Sequence, residues 1–432
     1  MNRRLIILVL LLNYFLFGLL LNSVGIVILQ SINSFGVDKE SAALLEGFKD
    51  IPIAIMSFLV ASILPRLGYH KAMMIGLGVV MIACASMPLL NEFWAAKLLF
   101  LCIGSAFALV KVSAYASIGL LTSDSKGHAS LINIVEGIFM VGVLSGYWIF
   151  SAFIDSNNPQ SLSWLNTYWV LASMCAFNLL VMAVVRFDNI SPTKDTALTS
   201  NDVAAFDDFL AMFRLVARPL IYLFVISLFL YVLIEQSIGS WLPTFNNEVL
   251  QLPPAISVQV TSIFAFSLAI GRLGAGMLLS HIHWYRLLTA CVIAMMGLVL
   301  LTLPLSHSIE AYADAHWFNL PLVAYIFPLI GLFMAPIYPS LSSAVLSSLP
   351  IARQSSMAGL IIIFSALGGT TGSMVTGMIF SKFTGQLAFY TTLVPMAVIL
   401  LLLYRLKFET EQSRLPVGEE SVPCRLEPRQ VQ

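Results

Sequence analysis

Twelve windows of about 20 mostly apolar residues recur along this chain, each long enough to cross a hydrocarbon core roughly 30 Å thick. They fall near residues 5–30, 42–64, 72–90, 97–121, 128–151 and 165–185, and again near 219–242, 256–280, 287–307, 318–345, 356–381 and 386–405. A bilayer interior satisfies no backbone polar group, so runs of this length must be helical. The expected fold is an all-α polytopic membrane protein with twelve transmembrane helices. Composition agrees: 59% of residues are hydrophobic and 10% charged, against roughly 25% charged in soluble domains.

The N-terminal run MNRRLIILVLLLNYFLFGLLLNSVGIVIL has a basic start but no small-residue cleavage site after a short apolar core, so it reads as a retained first span. The longest polar interruption, DNISPTKDTALTSNDVAAFDDF, divides the windows into two sets of six. Residues 1–186 read as an N-terminal six-helix bundle. Residues 187–218 read as a cytoplasmic linker with a short amphipathic helix from Val203 to Leu215, and residues 219–407 as a C-terminal six-helix bundle. The polar, proline-containing segment 408–432 reads as a disordered cytoplasmic tail.

Charge distribution orients the chain. With a cytoplasmic N-terminus, the inner set of basic residues is Arg3, Arg4, Arg66, Lys71, Lys126, Arg186, Lys194, Arg214, Arg218, Arg286, Arg353, Arg405 and Lys407, and the outer set is Lys39, Lys97 and Lys382. Thirteen against three is a strong positive-inside bias. It places both termini in the cytoplasm of a bacterium, beneath its inner membrane.

No cofactor or metal is expected. Cys84, Cys102, Cys175 and Cys291 sit in apolar runs, Cys424 lies in the tail, and none forms a CxxC or Cys/His pattern. His70, His128, His281, His283, His307 and His316 lie in inferred loops or near helix ends without HExxH spacing, so the chain does not read as an enzyme.

Several stretches carry a family resemblance. The turn LPRLGYHKAMMIGLGVVMIACASMPL resembles the loop between helices 2 and 3 of the fucose permease-like sugar/proton symporters. ASLINIVEGIFMVG resembles their fifth-helix motif, with Asn133 on the asparagine and Glu136 where glutamine is usual. FLYVLIEQSIGSWLPTF resembles their seventh-helix signature, with Glu235 as the acid and Trp241 as the tryptophan; FSLAIGRLGAGMLL and GLFMAPIYPSLSSAVL resemble the eighth and tenth helices. The resemblance covers about residues 10–405 and implies the major facilitator fold, two six-helix bundles rocking about a central site. It departs from the family where chemistry matters. The acids late in helix 1 and in helix 4 are matched here by Gly25 and Lys111, and Pro65 stands near the loop's usual acid, beside Arg66.

Ionisable residues within spans are functional candidates by default, because an unpaired charge there costs on the order of 3 kcal/mol. Lys111 and Glu136 lie at similar depths, roughly 15 and 12 Å from the cytoplasmic ends of adjacent helices. A pair between them is feasible, either as part of the transport site or as a structural neutralisation. Glu235 reads as a proton carrier or a packing group beside Gln236. Arg272 in AIGRLGAG reads as snorkelling or loop-binding, and its glycines 271, 274 and 276 as close-packing positions. LLEGFKD brings Glu46, Lys49 and Asp50 into one turn, as a solvated helix start or an outer gate. Pro336 and Pro339 are positioned to interrupt helix 10.

The candidate substrate-binding set is therefore Lys111, Tyr115, Asn133, Asn22, Tyr231, Gln236 and Trp241. Glu136 and Glu235 are the proton-coupling candidates, and Glu46, Lys49, Asp50, Arg66 and Arg272 the gating or structural set. The expected activity is proton-coupled uptake of a small polar solute, a sugar derivative or organic anion, by a monomer in the lipid bilayer. Export of a metabolite, siderophore or drug is the alternative, and a non-transporting receptor a third class. Topology is open to direct test: reporter fusions at Asp38, Asn157, Glu248 and Asp314 are expected outside, and at Lys126, Lys194 and Arg353 inside, with inversion of either half refuting the orientation.

Overall fold

The computed structural model describes residues 3–122, 125–185, 219–279, 281–306, 316–346 and 351–414. The described residues contain no strand. They form twelve membrane-length helical segments: Arg3–Phe35, Lys39–Leu67, Tyr69–Leu90, Phe93–Leu121, Ser125–Ser151 and Ser163–Val184, then Pro219–Glu248, Pro254–Leu279, Trp284–Ser306, Leu322–Leu346, Ile351–Lys382 and Gly385–Arg414. An even number of spans puts both termini at one end of the bundle.

The linker at 187–218, including Val203 to Leu215, and the tail from 415 onward lie outside the described residues. The twelfth span's helix runs on to Arg414, past the boundary expected at 407. The extension FETEQSR contains Glu, Gln and Arg, which lose little rotamer freedom in a helix.

The second segment carries the most charge, with Lys39, Glu40, Glu46, Lys49, Asp50 and Arg66 ahead of and behind an apolar run. Its N-terminus is capped by Asp38, whose carboxylate accepts from the Ser41 N–H at 2.8 Å. That bond holds the Asp38 carboxyl below the usual carboxylate range.

The two halves repeat one another. The first span packs on the fifth and sixth, the second on the fourth, and the third on the fourth and sixth. The same relations recur as seventh on eleventh and twelfth, eighth on tenth, and ninth on tenth and twelfth. Across the interface the second span packs on the eleventh and the fifth on the eighth, which exchange under the same pseudo-two-fold.

Close approach within each half depends on glycine. A Cβ on Gly142 in the fifth span would collide with the Phe15 carbonyl of the first, and one on Gly372 in the eleventh with the Leu233 carbonyl of the seventh. The two contacts are equivalent under the repeat. In the eighth span only the first of the three expected close-packing glycines has this role. Gly271 abuts the Leu332 carbonyl, whereas a Cβ on Gly274 or Gly276 meets open space.

Both pseudo-equivalent spans 1 and 7 are broken. The first stops at Leu21 and restarts at Val24; the Asn22 amide donates back to the Gly18 carbonyl at 3.0 Å and the Ser23 hydroxyl to the Leu20 carbonyl at 2.7 Å. Such side-chain bonds compete with the helical ladder. The seventh stops at Gly239 and restarts at Leu242, with Pro243 in the new first turn. The tenth span is interrupted at Ala335 and Pro336, as expected, while Pro339 is accommodated in the first turn of Ile337–Leu346.

Gly142→Ala is expected to push spans 1 and 5 apart and to lower stability by about 1–3 kcal/mol, the usual cost of overpacking. Gly274→Ala, facing open space within a helix, is expected to be neutral or stabilising. Thermal unfolding of both variants in detergent checks the contrast.

Candidate functional site

The end of the bundle opposite the termini is closed by contacts between the halves. Lys39 pairs with Glu248 at 2.6 Å and Lys382 with Glu40 at 3.8 Å. Trp148 stacks on Trp317 with ring centroids 5.4 Å apart; Gln259 donates to the Ser151 hydroxyl at 3.1 Å and accepts from the Trp317 indole at 2.9 Å.

Deeper in the bundle, between the halves, lies a small cavity of about 90 Å³. Its polar lining is Asn22, Lys49, Glu235, Gln236, Ser240 and Arg272, with aromatic walls from Phe139, Tyr147 and Phe264. Glu235, Gln236 and Ser240 reach it because they share one face of the seventh span; the Ser240 hydroxyl lies 3.2 Å from the Gln236 side-chain oxygen, one turn back. Arg272 neither snorkels nor binds a loop. Its guanidinium lies 3.8 Å from Glu235 and its N–H points at the Met140 sulfur, 3.7 Å away in the other half. The arginine thereby bridges spans 5, 7 and 8 at the cavity wall.

The Glu46, Lys49 and Asp50 turn is not a solvated helix start. Glu46 is 0% exposed, Lys49 7% and Asp50 9%. Lys49 Nζ donates to Glu46 Oε1 and lies 3.4 Å from Asp50 Oδ1. Glu46 Oε2 accepts from the Ser240 hydroxyl of the other half at 2.8 Å. Burial follows from the small residues around the turn: the Lys49 carbonyl lies against Gly104 of the fourth span, and Asp50 Oδ2 against Gly369 of the eleventh.

Lys111 and Glu136 come to the same region but not to each other. The Tyr115 hydroxyl donates to Glu136 Oε1 at 2.5 Å, and the Lys111 ammonium sits over the rings of Phe107, 5.5 Å away, and Tyr115, 5.9 Å away. Tyr115, one turn from Lys111, takes the acid that similar depth had suggested for the lysine. Among the described residues Lys111 has no carboxylate at ion-pair distance. Lys111 itself is exposed and is not part of the cavity lining, while its ring neighbours pack into the N-terminal half: Tyr115 stacks on Tyr14 at 6.3 Å and Phe107 packs on Phe17 at 5.7 Å.

Asn133 is exposed, one turn before Glu136. Tyr231 is fully buried against Tyr338, 6.0 Å between centroids. Trp241 is fully buried; its indole donates to the Ser373 carbonyl at 3.1 Å and stacks on Phe380, tying spans 7 and 11 together. It does not belong to the cavity lining. The Arg66 side chain lies outside the described part of the structure. Ser240, Tyr14 and Phe139 were not singled out in the sequence. The i, i+4 relation of Ser240 to Gln236 was the only local sign of any of them.

A bundle of two pseudo-repeated six-helix halves with a charged cavity at their interface defines a transporter of the alternating-access class. The sequence matches the Major Facilitator Superfamily over residues 10–365, and the chain belongs to that superfamily. No curated protein matches the chain. Among solved structures, the nucleoside transporter NupG is similar at a TM-score of 0.70 and 16% identity, covering 94% of this chain and 99% of that one. A bacterial homolog of the human lysosomal transporter Spinster, in an inward-facing and occupied conformation, gives 0.72 at 13% identity over 95% and 97% of the two chains. The transporter FucP in an outward conformation gives 0.59 at 17% identity over 92% and 97%. Identities this low establish the shared fold, and no one branch of the superfamily stands out.

Arg272→Ala leaves Glu235 without its cation and is expected to lower stability by about 1–2 kcal/mol, a value reduced by the partial exposure of the pair. Adding Glu235→Gln is expected to recover most of the loss, a non-additivity readable as thermal midpoints in detergent.

Proposed function

We propose that this chain is a proton-coupled secondary transporter that takes up a small polar solute bearing an anionic group, such as a sugar acid or another organic anion. It works as a monomer in the bacterial cytoplasmic membrane, with both termini inside. The observation that carries the substrate class is Lys111. Its ammonium lies well inside the fourth span, over two aromatic rings, and the nearest candidate acid is already bonded to Tyr115. A cation held at this depth without a counter-charge is costly, and an anionic substrate group supplies one. Aromatic rings and the Tyr115–Glu136 pair offer stacking and hydrogen bonds to the remainder of such a solute.

The superfamily supports transport, and symporters within it support proton coupling. A mechanism copied from fucose permease-like symporters has less support, because Gly25 and Lys111 occupy the positions that resemble that family's acids. With the termini cytoplasmic, the closed end is the outer one. The candidate coupling groups Glu136 and Glu235 then lie on the inner side of the closure.

The test is uptake into proteoliposomes with an acidic exterior, using a radiolabelled panel of neutral sugars, sugar acids, nucleosides and small carboxylates. A carboxylate-bearing member is expected to accumulate, and a protonophore to abolish accumulation. Lys111→Ala is expected to weaken its apparent affinity about tenfold or more, a loss of roughly 1.4 kcal/mol. The loss persists in the Lys111→Ala, Glu136→Gln double variant if the lysine binds substrate. Accumulation of neutral sugars alone, or normal affinity in the double variant, rejects the anion reading; uptake indifferent to the gradient rejects proton coupling.

A further inference from the structure

We propose that Glu46, Lys49 and Asp50 form a one-proton site that lets the two halves close only while Asp50 is protonated. The inference rests on the proton-coupled reading above and moves the coupling group away from Glu136 and Glu235.

Charge balance is the first ground. Two carboxyl groups and one ammonium share a single turn of the second span, all at least nine-tenths buried. With both acids ionised, the cluster carries a net charge of −1 in a place with little water, where an uncompensated ion is strongly disfavoured. Among the described residues, nothing packed against it supplies the missing positive charge. The seventh span offers the hydroxyl of Ser240, the amide of Gln236 and a third acid, Glu235, whose own cation is Arg272 of the eighth span at 3.8 Å. The fifth span offers the phenol of Tyr147. The fourth brings Gly104 against the Lys49 carbonyl, and its Lys97 ammonium lies over the Phe93 and Phe48 rings, 4.8 and 5.9 Å from their centroids. The eleventh brings Gly369 and Thr370. One added proton makes the cluster neutral.

Geometry assigns that proton. Both oxygens of Glu46 accept hydrogen bonds, from Lys49 and from Ser240, which suits an ionised carboxylate. Asp50 is bonded less well: Oδ1 lies 3.4 Å from Lys49, and Oδ2 lies beside Gly369 with no side-chain hydrogen bond given to it among the described residues. Of the two acids it is therefore the one that takes the proton. The step is simple: when the seam is open, the Asp50 carboxylate takes one proton from a hydronium ion of the entering water, so that one O–H bond breaks on the hydronium, one forms on Asp50, and water is released.

Location makes the site a coupling device. Glu46 touches Ser240, and Asp50 touches Gly369, across the boundary between the halves. Separating spans 2 and 11 gives Asp50 water and allows it to ionise. Closing them again requires the proton back. Lys49 also lines the central cavity, so the cluster is contiguous with the space a solute would occupy.

The proton is read by infrared titration of protein in nanodiscs, following the carbonyl stretch of protonated carboxyl groups. The seam is read by the distance between spin labels at Asn157→Cys and Ser381→Cys, in a background lacking the native cysteines. Wild type is expected to gain one protonated-carboxyl band on acidification and to shift from a long to a short label distance over the same pH interval. Asp50→Asn is expected to lose that band and to keep the short distance at every pH. Glu46→Gln gives the same result, since either substitution leaves a balanced lysine and acid; it serves if Asp50→Asn does not fold. Glu136→Gln is expected to retain the band and the shift. A band and a distance change of wild-type midpoint in Asp50→Asn or Glu46→Gln overturn the proposal, as does gradient-driven accumulation by Asp50→Asn equal to wild type. If instead the band and shift depend on Asp50 while wild-type liposomes accumulate nothing under a gradient, the proton site stands and the transport reading falls.

Discussion

Hydrocarbon offers no hydrogen bonds and little tolerance for charge, and every feature of this chain answers to that constraint. The backbone meets it by being helical for the full width of the bilayer in twelve segments. Because lipid is as apolar as leucine, burial of apolar side chains gives those helices little reason to associate, and packing must come from shape. Small residues supply it. At Gly142 and Gly372 a helix rests its backbone directly on a neighbouring carbonyl, and the same contact appears once in each half. The pseudo-symmetry is therefore visible in the contacts as well as in the order of the spans.

The same constraint sorts the charges within the spans into three solutions. Glu235 and Arg272 balance each other at the wall of a cavity. Lys111 relies on the faces of Phe107 and Tyr115, which attract a cation without neutralising it. Glu46, Lys49 and Asp50 crowd together in one buried turn beside the cavity, with one negative charge more than they can balance. Only the first is complete in itself. The other two have capacity for something outside the chain, an anion in one case and a proton in the other, and they stand on neighbouring helices of the same half.

The span count, the division into halves and the depth of the charged groups were legible because each depends on residues close in sequence. Facing was not. Similar depth made Lys111 and Glu136 look like partners, yet Tyr115, on the same helix face as the lysine, reached the acid first. The charges of LLEGFKD looked like a wet helix start because nothing local says that Gly104, Ser240 and Gly369 close over them from three other spans. Arg272 sits near glycines that suggest packing, and its engagement with Glu235 crosses from one span to the next. Trp241 carried a motif resemblance and turned out to be a tie between spans 7 and 11, since an indole N–H buried in a helix interface needs an acceptor and Ser373 provides it.

The breaks in spans 1 and 7 meet each other. A Cβ built on Gly25, just after the first break, would lie 2.7 Å from the carbonyl oxygen of Ser240, just before the restart of the seventh span. Gly25 is also the position matching the helix 1 acid of the symporters this sequence resembles. The absence of an acid there is thus more than a lost titratable group: main chain from the opposite half now occupies the space such a side chain would need. Restoring an aspartate would require Ser240 to retreat, and Ser240 is the residue that holds Glu46. The departure at residue 25 and the charged turn on the second span are in this way parts of one arrangement, and neither can drift toward another chemistry while the other stays as it is.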